Sequence, residues 1–161
     1  MRLFAVILSP FFALSLLTAM AVSAKAEVVL TVLVRGTPVI KTFDREDLEK
    51  MPQVSYRTST IWTDGVLEFQ GVPLRAVLEA VGVSEGMVVL SASNDYEAEI
   101  PVDTLTDDVP MIAMSIDGKL MSLRDKGPLW LVYPYDSATE YQSEVVYTRS
   151  VWQLERIEIV P

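Results

Sequence analysis

The sequence contains no cysteine and no histidine. The first absence removes disulfides, thiolate nucleophiles and thiolate metal ligands, so stability must come from packing. The second removes the imidazole, and with it any Ser–His–Asp relay in its usual form. Positive charge is also scarce: 13 Lys and Arg stand against 22 Asp and Glu, a net charge of −9. A chain this acidic repels phosphate backbones and anionic lipid surfaces, which argues against nucleic acid as a partner. Internal repeats, low-complexity tracts and linkers are missing as well.

What is present is a globular composition, 50% hydrophobic and 22% charged over 161 residues. The first residues read as an export signal. Met1-Arg2 is the positive start, Leu3 to Ala21 is largely apolar, and Ala24-Lys25-Ala26 has the small-x-small pattern of a cleavage site. The expectation is a signal peptide over 1–26, a single domain over 27–161, and a periplasmic or secreted protein with no membrane contact after cleavage. The competing reading is an uncleaved anchor, because the apolar run approaches the roughly 20 residues of a spanning helix. A lipid anchor through the signal would need a cysteine. Loss of Arg2 and Lys25 would take the mature charge to −11.

Local patterns predict many short strands and two or three short helices, an α+β arrangement rather than a βαβ alternation. Val28 to Val34 is β-branched and apolar, as a buried strand requires. Arg35 to Pro38 turns the chain so that Val39 to Thr42 can pair back. Asp44 is placed to cap a helix over Arg45 to Lys50, ended by Pro52. Val54 to Ile61 alternates, with Val54, Tyr56 and Thr58 on one face and Ser55, Arg57 and Ser59 on the other. Leu74, Val77, Leu78 and Val81 recur at helical spacing between Pro73 and Gly82. Val66 to Phe69 after the Asp64-Gly65 turn, Met87 to Leu90, Tyr96 to Ile100, Met111 to Ile116, Leu129 to Tyr133 and Val151 to Val160 complete the strands.

Three stretches in this order resemble the molybdopterin-binding domain of the sulfite oxidase family, in particular its short exported members. They are Phe69-Gln70-Gly71-Val72-Pro73-Leu74 followed by Val77-Leu78; Ser93-Asn94-Asp95-Tyr96 leading to Ile100-Pro101-Val102; and Asp117-Gly118-Lys119-Leu120, then Gly127-Pro128-Leu129-Trp130-Leu131-Val132-Tyr133-Pro134, closing on Trp152-Gln153-Leu154-Glu155-Arg156-Ile157. The resemblance covers most of residues 40 to 160. It implies a mixed α+β fold around a molybdenum–pterin cofactor, with the metal held by a dithiolene and one protein cysteine, and oxo transfer to or from sulfite or sulfoxides. The family's cysteine precedes the Gly of the G-V-P-L stretch by about a dozen residues, which falls at or near Ser59. A hydroxyl there is a poor substitute for a thiolate. Relatives carry an arginine two residues after the Pro of the Gly-Pro pair; here that position is Trp130, which cannot clamp a phosphate. The scaffold is expected to persist and the chemistry to be lost.

Seven positions are candidates for the cofactor side of this site. Arg57, Ser59 and Thr60, with Trp62 following, are a candidate anion contact, or else an ordinary strand with a solvated arginine. Asp95 and Tyr96, next to Asn94, match a family loop near the cofactor, or else form an Asx-type turn. Arg124 and Lys126 could bind phosphate or carboxylate, or else be a charged turn. No catalytic residue and no metal ligand is assigned. Met111 and Met114 sit in an apolar strand and read as core. Asp103, Asp107 and Asp108 lack the glycine and terminal glutamate of a calcium loop. Tyr133, Tyr135 and Tyr141 are candidates for an exposed interface.

Two functions follow. One is an exported, non-catalytic module that binds a small anionic ligand or a protein partner in the vacated pocket, without cofactor. The other is a molybdopterin-dependent oxidoreductase that holds its cofactor without a protein thiolate.

Overall fold

The computed structural model describes residues 27–161; the expected signal peptide over 1–26 lies outside them. Among the described residues no helix is long and apolar enough to cross a membrane. Ten strands and three short helices follow the chain. They are β1 (Val28–Val34), β2 (Ile40–Asp44), α1 (Arg45–Glu49), β3 (Val54–Ser59), β4 (Val66–Pro73), α2 (Leu74–Glu79), β5 (Met87–Ala92) and β6 (Glu97–Pro101). Then come β7 (Met111–Ile116), β8 (Lys119–Leu120), β9 (Trp130–Val132), α3 (Glu144–Arg149) and β10 (Leu154–Val160). This is the α+β arrangement the local patterns predict.

The strands form two five-stranded sheets. The first has the order β2-β1-β10-β5-β6, and the second runs β3-β4-β7-β8 with β9 also paired to β7. In the first sheet β1 and β10 are parallel, Val32 lying opposite Ile157, so the last strand occupies the centre. The sheets are tied where β9 meets the segment before β10. Trp130 bridges Trp152, Leu131 N donates to Val151 O at 2.8 Å, and Leu154 N donates to Leu129 O at 3.0 Å.

The apolar runs account for the core. Leu30, Val32, Leu90, Ile157 and Ile159 fill the first sheet's inner face, while Phe69, Val72, Ile112 and Leu131 fill the second's. Every residue of β7 from Met111 to Ser115 is buried, including Met111 and Met114, which therefore serve packing. Gly71 of the G-V-P-L stretch has a steric reason. A Cβ there would meet the backbone oxygen of Ile112 at 2.0 Å, because β4 presses against β7 at a bulge between Gln70 and Gly71. Asp44 caps α1 through a reciprocal pair, its Oδ1 accepting from Asp47 N and its own N donating to Asp47 Oδ2. α3 is an addition to the sequence reading, capped by Ser143, whose hydroxyl accepts from Val146 N. It packs on β6.

Tyr133 and Tyr135 are buried and Tyr141 is half-buried. The expected exposed aromatic interface is therefore not formed: the three rings pack on each other at 6.0–6.4 Å instead. Apolar strand β9 drags its C-terminal neighbours Tyr133 and Tyr135 inward with it. Asp103, Asp107 and Asp108 are solvated, and among the described residues no three potential ligand side chains converge as a metal site would require.

Candidate functional site

The end of β3 begins the site. Alternation along the strand buries Thr58 and leaves Arg57 exposed, paired in register with Glu68 of β4. Ser59 ends the strand, and Asp136 comes to meet it from the segment after β9. The amide of Ser59 donates to Asp136 Oδ2 at 2.5 Å and its hydroxyl to Oδ1 at 2.7 Å. Asp136 N in turn donates to Thr58 Oγ1 at 3.0 Å. These donors hold the Asp136 carboxyl below the usual range, the Ser59 amide contributing most. Thr60 organises the next turn: its Oγ1 accepts from Trp62 N at 3.0 Å and shares a hydrogen bond with Thr63 Oγ1 at 2.8 Å.

That turn delivers Trp62 to the hub of an aromatic cluster. Its ring lies 5.9 Å from Trp130, 5.6 Å from Trp152, 5.8 Å from Tyr147 and 6.2 Å from Tyr135, all edge-to-face. Trp130 is fully buried, packs edge-on against Phe69 at 5.5 Å, and donates its indole N–H to Ser150 O at 3.3 Å. Ser150 is buried too: its hydroxyl accepts from Tyr135 Oη at 2.7 Å and donates to Val146 O at 2.8 Å. Three T-shaped partners, Trp62, Phe69 and Trp152, and a satisfied donor make Trp130 a structural residue of this cluster.

Three cavities surround the cluster. The first, of about 390 Å³, lies between Ile61, Trp62, Asn94, Tyr96, Tyr147 and Trp152. The second, of about 250 Å³, is bordered by Ser59, Thr60, Asp136 and Gln142, and shares Ile61 and Tyr147 with the first. The third, of about 340 Å³, lies beyond Trp130, among Thr63, Lys119, Arg124, Asp125 and Lys126.

The seven candidate positions thus divide. Ser59 and Thr60 border the second cavity, Tyr96 the first, and Arg124 and Lys126 the third. Arg57 and Asp95 line none of the three. Asp95 holds a left-handed φ of 64° inside a tight turn, where Ala92 N donates to Tyr96 O and Asn94 Oδ1 accepts from Tyr96 N. Tyr96 Oη then reaches Thr148 O at 2.7 Å and ties the turn to α3. Lys126, also left-handed at φ 69°, ends a 3-10 turn over Leu123–Asp125 and sets its ammonium 5.6 Å from the Trp130 ring centroid. Gln153 fixes the loop by donating from Nε2 to Leu123 O at 2.9 Å. Asp136, Lys119 and the residues of α3 are the site components that the sequence reading missed.

One mixed and one antiparallel sheet with three short helices, joined through the strand after the Gly-Pro pair, define the sulfite-oxidase type of α+β fold. The chain belongs to the oxidoreductase molybdopterin-binding domain family, whose model matches residues 27–159. In its fold it is similar to the sulfane dehydrogenase SoxCD from Paracoccus pantotrophus, with a TM-score of 0.62 and 19% identity. The match covers 81% of this chain and 37% of that one, so this chain spans well under half of its neighbour's length. No curated protein matches the sequence.

The residues present do not fit a molybdenum–dithiolene held by a protein sulfur. The chain has no cysteine, and at Ser59 the hydroxyl's proton is committed to a carboxylate. An ionised Asp136 at that distance opposes an anionic metal–sulfur group by like charge. Trp130, where the resemblance implies an arginine, is a buried indole with its single donor already used.

Proposed function

We propose that this protein is an exported, non-catalytic member of its family that has kept the scaffold and binds a small anion or a protein partner beside the old cofactor face. The Ser59–Asp136 pair carries this reading, because it puts a carboxylate where the chemistry of the family needs a soft anionic donor. The anion is assigned to the third cavity, where Lys119, Arg124 and Lys126 supply three cations. Asp125, the carboxylate among them, is already bonded to Ser122 Oγ at 2.7 Å. The first and second cavities contain no cation in their walls and one carboxylate each, Glu144 and Asp136, which repel the same ligand.

The deciding experiment is molybdenum and pterin analysis of the protein purified from its own source. The expected result is neither group; stoichiometric molybdenum with oxo-transfer turnover would establish the competing oxidoreductase reading. Thermal denaturation in sulfite, phosphate and carboxylates then locates the ligand. A specific anion at about 100 times its Kd adds about 2.7 kcal/mol of stability. Lys119→Gln with Arg124→Gln should abolish that gain while leaving the unliganded melting temperature nearly unchanged. If no anion raises the melting temperature, a protein partner is the ligand to seek.

A further inference from the structure

On the other side of the aromatic cluster, the first cavity has the opposite character. Its walls are Trp62, Trp152, Tyr147 and Tyr96, with Ile61 and Val151 filling between them. The Trp62 plane stands at 74° to Trp152 and 86° to Tyr147, with centroids 5.6 and 5.8 Å apart. Both pairs are edge-to-face, and all four rings line the cavity. Aromatic faces are the negative part of the ring quadrupole and attract cations. The single ionisable carboxylate or base in the wall is Glu144, in the first turn of α3. It makes no ion pair among the described residues. Arg149, the nearest base on the same helix, is turned away, donating to Glu99 O at 3.0 Å. Asn94 and Thr148 add polar atoms at the margin.

We propose that this cavity is a binding site for a small organic cation with an alkylated ammonium head, held by the indole and phenol rings and neutralised by Glu144. Three features favour that class over others. An aromatic wall accepts a poorly hydrated alkylammonium far better than an ammonium that must shed tightly bound water. A carboxylate without a basic neighbour supplies the charge complement and rejects anions. The volume of about 390 Å³ is that of a small-molecule site. The inference is independent of the anion assigned to the third cavity, since no residue lines both.

Choline and its neutral isostere 3,3-dimethylbutan-1-ol test the charge requirement, because they match in shape and differ in the ammonium. Titration of the full chain is followed by calorimetry and by tryptophan fluorescence, which reports Trp62 and Trp152. Choline is expected to bind saturably and about tenfold more tightly than the alcohol. Glu144→Gln, an exposed change that leaves the core intact, should weaken choline by about three- to tenfold and leave the alcohol unaffected. Tyr96→Leu should weaken choline as well. Absence of saturable choline binding, equal affinity for the alcohol, or a Glu144→Gln variant that binds choline like the parent would each overturn the proposal.

Discussion

Ser59 and Asp136 are 77 residues apart in the chain and share two hydrogen bonds, one from an amide and one from a hydroxyl. Such a carboxyl, depressed in the folded state, stabilises the protein above the ordinary carboxylate range near 4 and loses that contribution as the pH falls through its lowered value. Asp136→Asn should therefore lower the melting temperature at pH 7, and the difference from the parent should shrink below about pH 4. Melting curves across pH 2.5 to 7, roughly the span of carboxylate titration, check this; a pH-independent difference would mean that Asp136 acts through shape. Trp130 makes the complementary case. Its fully buried ring holds the cluster together, and Trp130→Ala should cost about 3–5 kcal/mol in urea unfolding. Trp130→Arg, the residue the resemblance implies here, should destabilise at least as much, because it buries a cation among Phe69, Trp62 and Trp152. The expectation that Ser59 and Trp130 stand at the family's cysteine and arginine positions rests on the spacing from Gly71 and Pro128. The partner Asp136 was not legible: a lone aspartate after Tyr135 carries no local signal, and only the closure of β9 beside β3 brings it to Ser59.

At the scale of elements, the legible parts are those whose period or punctuation is local. β1, β7 and β10 announce themselves by β-branched or alternating runs, and α1 by Asp44 ahead of an acidic first turn. Asp44→Ala should remove the reciprocal cap and cost about 1 kcal/mol by urea denaturation. β4 runs further than its sequence suggests, through Gly71 to Pro73, because β7 pairs with residues that turn chemistry alone would end. Gly71→Ala should be among the most damaging single-methyl additions, at about 3 kcal/mol or more, since the clash is with backbone and no side chain can yield. α3 escaped notice for the converse reason. Its six residues bury only Val146, too few to show a helical stripe, and its Ser143 cap is readable only once a helix is suspected. The inward Tyr133 and Tyr135 were misread because Pro134 between them looks like an exit from the strand, whereas the chain continues along the core.

For the whole molecule, burial of phenols sets the alkaline limit. Desolvation pushes Tyr135 up to about 12 and raises Tyr56 and Tyr133 as well, Tyr56 while donating to the backbone oxygen of Asp108. Groups raised in the folded state stabilise fully below their unfolded value near 10 and lose that contribution as the pH rises through the folded one. Phenolate absorbance from the buried Tyr56, Tyr133 and Tyr135 should thus appear only together with loss of circular dichroism. A smooth titration of all tyrosines near pH 10, without unfolding, would contradict the buried placement. The order β2-β1-β10-β5-β6 has a different kind of consequence. The hairpins of β1 with β2 and of β5 with β6 are each sequence-local, and within the sheet the seven residues of β10 join them, pairing with β1 on one side and β5 on the other. Neighbours along the chain are thus not neighbours across this sheet: its two halves stay separate flaps until their shared keystone is seated between them.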